Sequence, residues 1–171
     1  VGTAVAWGYA WTGSTWPAQL KTDVFESLNK WHDWMKAEGY AADGICCAVG
    51  SVAVSNYFGG HVMGLGMAGL ATRGDNPRGQ EIASYWRAKF DLIDQEFTGG
   101  VYAGGNPVEG YVYGLNQFFR LIMYAHAVKT ATGEDLMSKY APLMIRNLFY
   151  NLKPNRWQWT DEANNSGDYT G

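Results

Sequence analysis

Cysteine is scarce in this chain: there are two, adjacent, at Cys46 and Cys47. Neighbouring cysteines rarely bond to each other, so neither a disulfide framework nor a redox compartment can be read from them. With no CxxC spacing and no nearby histidine pair they also make no metal site. Basic charge is in deficit. Thirteen Lys and Arg against sixteen Asp and Glu leave a net charge of −3 with no basic run, which argues against a nucleic-acid partner. No stretch of about 18 apolar residues occurs, so no membrane span is expected. A signal peptide is also missing, and the chain begins at Val1. It is expected to be a mature piece or a fragment of a longer protein.

At 171 residues and 47% hydrophobic content the chain is the size of a single domain with a real core. Aromatic content is high, with eight Trp and eleven Tyr. Such rings either pack a helical core or line a carbohydrate cleft, where they stack on sugar faces while their polar tips hydrogen-bond.

Hydrophobic periodicity predicts helices throughout. Val1 to Trp11 reads as the tail of a buried helix. Pro17 suits a helix start, and Leu20, Val24, Phe25, Leu28, Trp31, Trp34 and Met35 recur at helical spacing over residues 19–38, which marks an outer, amphipathic helix ended by Gly39. Residues 40–54 read as a loop. Residues 55–72 (SNYFGGHVMGLGMAGLAT) carry no charge and five glycines. Each interior glycine costs a helix about 1 kcal/mol against alanine, so this helix holds only if buried with close neighbours. Asn76 and Pro77 predict the start of an outer helix over 80–97. Residues 98–110 form a glycine-rich loop, and residues 111–132 an inner helix stopped by Gly133. Pro142 starts or kinks a last outer helix that Pro154 ends. The tail, 155–171, is polar and aromatic.

The order is inner, outer, inner, outer, inner, outer, with no convincing strand before the tail. The fold class expected is all-α: residues 1–171 as a single helical domain, an arc of an α/α toroid. A full toroid takes about twelve helices. An arc leaves apolar surface at its open ends, so a homo-oligomer or a missing remainder of the chain is expected. Because an outer helix returns the chain each time, successive inner helices run in the same direction. The starts near Asn56 and Tyr111 then share one end, where helix N-termini favour an anionic ligand.

Two segments at that end carry a resemblance. Asn56-Tyr57-Phe58-Gly59-Gly60-His61 opens a small-residue helix. Gly105-Asn106-Pro107-Val108-Glu109-Gly110-Tyr111-Val112-Tyr113-Gly114 precedes a long helix that closes on Ala131-Thr132-Gly133-Glu134-Asp135-Leu136. With Ala6-Trp7-Gly8-Tyr9-Ala10-Trp11, this resembles the heparinase II/III-like and alginate-lyase group of polysaccharide lyases over roughly residues 5–150. The resemblance implies β-elimination on an acidic, uronate-containing polysaccharide, a secreted or periplasmic location and no cofactor. It implies that Asn56 neutralises the uronate carboxylate and that Tyr113 or Tyr111, 57 or 55 residues later, takes the C5 proton and protonates the leaving oxygen. The sequence departs from that pattern at Tyr57, where many relatives have histidine, and it lacks the family's additional catalytic histidine.

These roles make physical sense. A proton α to a carboxylate is hard to remove while the carboxylate keeps its charge, and amide hydrogen bonds stabilise the intermediate that forms. A tyrosine, with an ordinary pKa of about 10, needs cationic groups or helix N-termini nearby to act as a base at neutral pH. The catalytic candidates are Asn56, Tyr113, Tyr111 and Glu109; Tyr57, His61 and Asn106 are candidates for substrate binding, and no metal site is expected.

Each has a structural alternative. Asn56 can cap its helix, the tyrosines can pack, and Glu109 can accept backbone N–H bonds at the helix start. His61 lies about 140° round an ideal helix from Asn56, which suits a buried, hydrogen-bonded histidine. His126 is expected to be structural and His32 to lie on the surface. The doublets Gly99-Gly100 and Gly104-Gly105 lack the flanking residues of a phosphate loop. A glycoside hydrolase on the same fold would need a second carboxylate besides Glu109, from Asp43, Asp75 or Glu162. A non-catalytic carbohydrate-binding or assembly fragment is the third reading.

Overall fold

The computed structural model describes residues 1–37, 56–99 and 110–151. Among these the chain forms six α-helices and no strand. They are α1 (Gly2–Thr12), α2 (Ala18–Ala37), α3 (Asn56–Thr72), α4 (Gly79–Thr98), α5 (Gly110–Thr132) and α6 (Met137–Asn151), with a short 3₁₀ turn, Gly13–Thr15, between the first two. The loop expected over 40–54, most of the glycine-rich loop with Asn106 and Glu109, and the tail 155–171 lie outside the described residues.

Helix ends follow local chemistry. Gly133 takes φ +83° and returns its N–H to the Lys129 carbonyl at 2.9 Å, ending α5 where a residue with a side chain would be strained. The cap of α4 differs from expectation. The helix begins at Gly79, after Arg78, and Asn76 is part of the preceding turn. Its Oδ1 accepts the Arg78 N–H at 3.1 Å, and its buried amide pairs with that of Asn29 at 3.0 Å. Pro142 lies inside α6 rather than at its start.

The uncharged α3 is the centre of the molecule. Eleven of its seventeen residues are buried, which is why a helix so rich in glycine survives. It touches α1 on one side, α5 on the other, and α4 across its back. A Cβ on Gly69 would stand 2.6 Å from the Ala83 amide nitrogen of α4, and one on Gly2 2.5 Å from the Gly64 carbonyl oxygen. Glycine at these crossings lets backbones approach to a distance no side chain permits. Around them Phe58, Val62 and Leu65 are fully buried, each contributing about 1.5–3 kcal/mol of burial.

The contacts also give direction. Gly59 meets Gln117, Gly66 meets Tyr124, and Arg73 donates to the Ala131 carbonyl; the partners in each pair are 58 residues apart. A constant offset means that α3 and α5 run parallel and in register. Gly2 against Gly64 and Tyr9 against Asp75 give the same sense for α1 and α3. The three helices expected to be inner therefore do share a direction.

Several side chains are not where expected. His32 is fully buried, because it shares the core-facing stripe of α2 with Leu28 and Met35. His126, expected to be structural, is exposed on α5. Leu20 and Trp34 of α2 are also exposed. The first helix is not buried on all sides: only Gly2, Ala6 and Tyr9 are covered, while Trp7 and Trp11 stand in solvent with parallel rings 6.2 Å apart. No described helix is long and apolar enough to cross a membrane.

Candidate functional site

The register of α3 and α5 decides which residues can meet at the shared helix starts. With an offset of 58, Asn56 is level with Gly114, next to Tyr113. On α5, Tyr113, Gln117, Arg120 and Tyr124 recur at intervals of four, three and four, which puts them on one stripe. Gln117, Arg120 and Tyr124 of that stripe touch α3. Tyr113 thus occupies the α3-facing stripe of α5 at the level of Asn56. It is 43% exposed, so its ring is open to a ligand rather than consumed by packing.

Asn56 is 7% exposed and is itself the first residue of α3. Its oxygens are held by a residue not expected at the site. Arg120 Nη1 donates to the Asn56 main-chain carbonyl at 2.5 Å and to Oδ1 at 2.9 Å. A helical side chain leans toward the N-terminus of its helix, so an arginine two turns below Tyr113 reaches up to Asn56. Arg120 had a readable signal: it is the sole Lys, Arg, Asp or Glu in α5 before Lys129. A lone cation in an apolar helix needs a reason.

His61 is half-buried on α3. Its pKa is lowered, first by burial and then by the positive charge of Arg120. It is therefore neutral at pH 7, a polar group rather than a second cation. Tyr57 is 50% exposed beside Asn56. Gln117, fully buried, lies against Gly59. Tyr111 belongs to the first turn of α5, but its side chain, like Asn106 and Glu109, lies outside what is described. The structure thus sets Arg120 and Gln117 of α5 against the Asn56–His61 segment of α3, with Tyr113 further up the same stripe of α5.

The far end of the same helices is occupied by structural pairs. The Tyr9 hydroxyl donates to Asp75, which Lys21 also reaches at 3.3 Å. Those bonds hold the Asp75 carboxyl below its usual range, and burial with the Asp75 carboxylate beside it pushes Tyr9 up to about 12. Asp75 follows the C-terminus of α3, so it lies at the opposite end from the start of α5. Among the described residues no three His, Cys, Asp or Glu side chains converge as metal ligands.

The spelling GxGxxG does occur, as Gly64-Leu65-Gly66-Met67-Ala68-Gly69. It lies in the interior of α3 rather than at a strand-to-helix turn, and its glycines face Gly2, Tyr124 and Ala83. It is a packing surface, not a phosphate loop.

Comparison with protein-family models, with curated proteins and with solved structures finds no match for this chain.

Proposed function

We propose that this chain is part of a polysaccharide lyase that acts by β-elimination on a uronate-containing polymer. Asn56 serves as carboxylate neutraliser and Tyr113 as the base and acid, with Tyr111 as second choice. The observation that carries the reading is the parallel register of α3 and α5, by which Asn56 is level with Gly114, the residue after Tyr113. An amide held by a cation at the start of α3 suits a ligand carboxylate, because the guanidinium and the helix N–H groups there are donors. An exposed phenol on the adjoining stripe suits proton transfer to and from a sugar carbon and its leaving oxygen.

The wider architecture proposed is an arc of an α/α toroid. Three parallel helices in one layer, returned by α2 and α4, support it. So do the exposed apolar side chains on the first and last helices, Trp7, Trp11, Ile145 and Phe149, which suit either self-association or further hairpins. A secreted or periplasmic location goes with this reading. No observation favours the hydrolase alternative.

The test is ultraviolet absorbance from new unsaturated ends when the protein is mixed with alginate, heparan or chondroitin polymers. Asn56→Ala and Tyr113→Phe should each lower the rate by about a hundredfold or more, the scale of losing a transition-state donor or a general base. Full activity in either variant, or reducing ends released without unsaturation, would overturn the assignment.

A further inference from the structure

Two glycines of the Asn56–His61 segment stand beside Arg120, and together they form one device. A Cβ on Gly60 would stand 3.4 Å from Arg120 Nη1, 3.7 Å from Cζ and 3.8 Å from Cδ, so the guanidinium lies along the bare backbone of α3 there. A Cβ on Gly59 would stand 3.1 Å from Gln117 Cγ and 3.6 Å from Arg120 Cβ. Side chains at 59 and 60 would crowd the path by which Arg120 reaches the helix start. At the end of that path a single nitrogen, Nη1, contacts both oxygens of one residue, Asn56.

We infer that Arg120 is a positioning residue: lying in the trough of Gly59 and Gly60, it clamps the main-chain and side-chain oxygens of Asn56 and so fixes the amide for a carboxylate-bearing ligand. The inference rests on the lyase reading for its ligand and stands on geometry alone for the clamp. A guanidinium only donates, so the contacted amide atom is the oxygen, and the clamp turns Nδ2, the donor side of the amide, away from Arg120. A group that can only donate selects an acceptor. The cation behind it selects an anionic acceptor over a hydroxyl. Lysine cannot replace the clamp, because its ammonium ends one bond short of the Nη1 position and has no planar group to lie along the Gly59–Gly60 trough.

Side-chain NMR couplings of Asn56, and the affinity for a glucuronate oligosaccharide against a neutral one of the same length, test this on the full chain. Asn56 should occupy one χ1 rotamer in the wild type and average over several in Arg120→Met and Arg120→Lys. Affinity for the acidic oligosaccharide should fall at least tenfold in both variants, with the neutral one unchanged. Asn56→Asp, which keeps an acceptor for Arg120, should melt no lower than the wild type and yet lose the acidic ligand. A single Asn56 rotamer in folded Arg120→Met removes the clamp whatever the ligand data say. Full acidic-ligand affinity in Arg120→Lys reduces Arg120 to a charge and also overturns the proposal. Absence of binding by the wild type, with the rotamer shift present, sinks the uronate reading and leaves the clamp standing. Should Arg120→Met fail to fold, Gly60→Val, which crowds the guanidinium from the other side, gives the same rotamer readout.

Discussion

Two seams hold this molecule together, and they are built in opposite ways. Along α3 the neighbours meet at backbone distance, and α3 itself supplies no Lys, Arg, Asp or Glu. Between α2 and α4 the helices are bridged by long side chains. Arg78 grips Asp33 with two bonds of 2.7 Å and Glu81 at 2.9 Å, Lys36 reaches Glu81 at 3.3 Å, Asn76 pairs with Asn29, and Trp86 donates to His32. The first seam is a matter of shape and has no slack. The second is spread over many polar pairs, most of them solvent-exposed and individually worth about 1 kcal/mol or less. A seam of shape fixes register. The proposed site depends on that property, since a slip of α5 against α3 would change which residue of α5 is level with Asn56.

The sharpest way to break this contrast is a methyl group in the inner seam. Gly69→Ala places a carbon where the Ala83 backbone already stands, and backbone cannot swing aside. The expected cost is about 2–3 kcal/mol, and Gly69→Val should exceed it. Gly74, with nothing within 4 Å of its would-be Cβ, is the control: Gly74→Ala should stay within about 0.5 kcal/mol. Urea unfolding of the two variants measures the difference. Equal costs would mean that the α3–α4 crossing is not tight.

In the outer seam the buried pair should outweigh the exposed ones. Trp86 Nε1 donates to His32 Nδ1 at 3.2 Å with both side chains fully buried. His32→Leu leaves that indole N–H without an acceptor, at an expected cost of about 1–3 kcal/mol. Asp33→Ala, on the exposed Arg78 pair, should cost less than about 1 kcal/mol.

The same histidine sets an acid limit. Its pKa is lowered chiefly by burial, with Lys36 and Arg78 adding to the effect and Glu81 and Asp33 opposing it. A histidine kept neutral in the fold contributes stability that is complete above its unfolded pKa, about 6.5, and is lost as pH falls below it. His61 titrates in the same sense. His32→Gln, whose amide oxygen can still accept from Trp86, should therefore flatten the fall in stability between about pH 6.5 and 5. Identical slopes in the two proteins would show that His32 does not carry it. Glu81 and Asp135 are held down at about 2 by Arg78 and by Lys129, so their contribution persists above the usual carboxylate pKa and disappears at lower pH in both.

Much of this was legible. Gly and Pro punctuation gave α2, α3, α4 and α5 to within a residue of their ends, and the charge-free α3 announced its own burial. The shared direction of α1, α3 and α5 followed from alternation alone. What escaped was side-chain placement. His32 is polar and was expected outside, although Leu28, His32 and Met35 form one stripe. Arg120 passed as part of an apolar helix, although its isolation was visible. Asn76 has the residue type of a cap, but the turn at residues 72–76 needs its oxygen first, for the Arg78 N–H. Trp7 and Trp11 are apolar like a core, and composition does not tell which side of a helix lacks a neighbour. The site could be read as two segments at one end; the 58-residue register that pairs them, and the cation between them, are properties of packing.

The smallest effect expected is also the most discriminating for the inner seam. Tyr124 is fully buried with its ring over Gly66, and its hydroxyl finds no hydrogen-bond partner among the described residues. Burial pushes its pKa well above the ordinary tyrosine value, so the group stays a neutral phenol. A buried hydroxyl without a partner costs desolvation and returns nothing. Tyr124→Phe keeps the ring and removes only that oxygen, so it should leave stability unchanged or raise it by up to about 1 kcal/mol. In a seam held by shape, the ring is what matters. A loss of about 1 kcal/mol or more in urea unfolding would mean that the hydroxyl has an acceptor in solution, and that the α3–α5 contact at Gly66 rests on a polar bond as well as on fit.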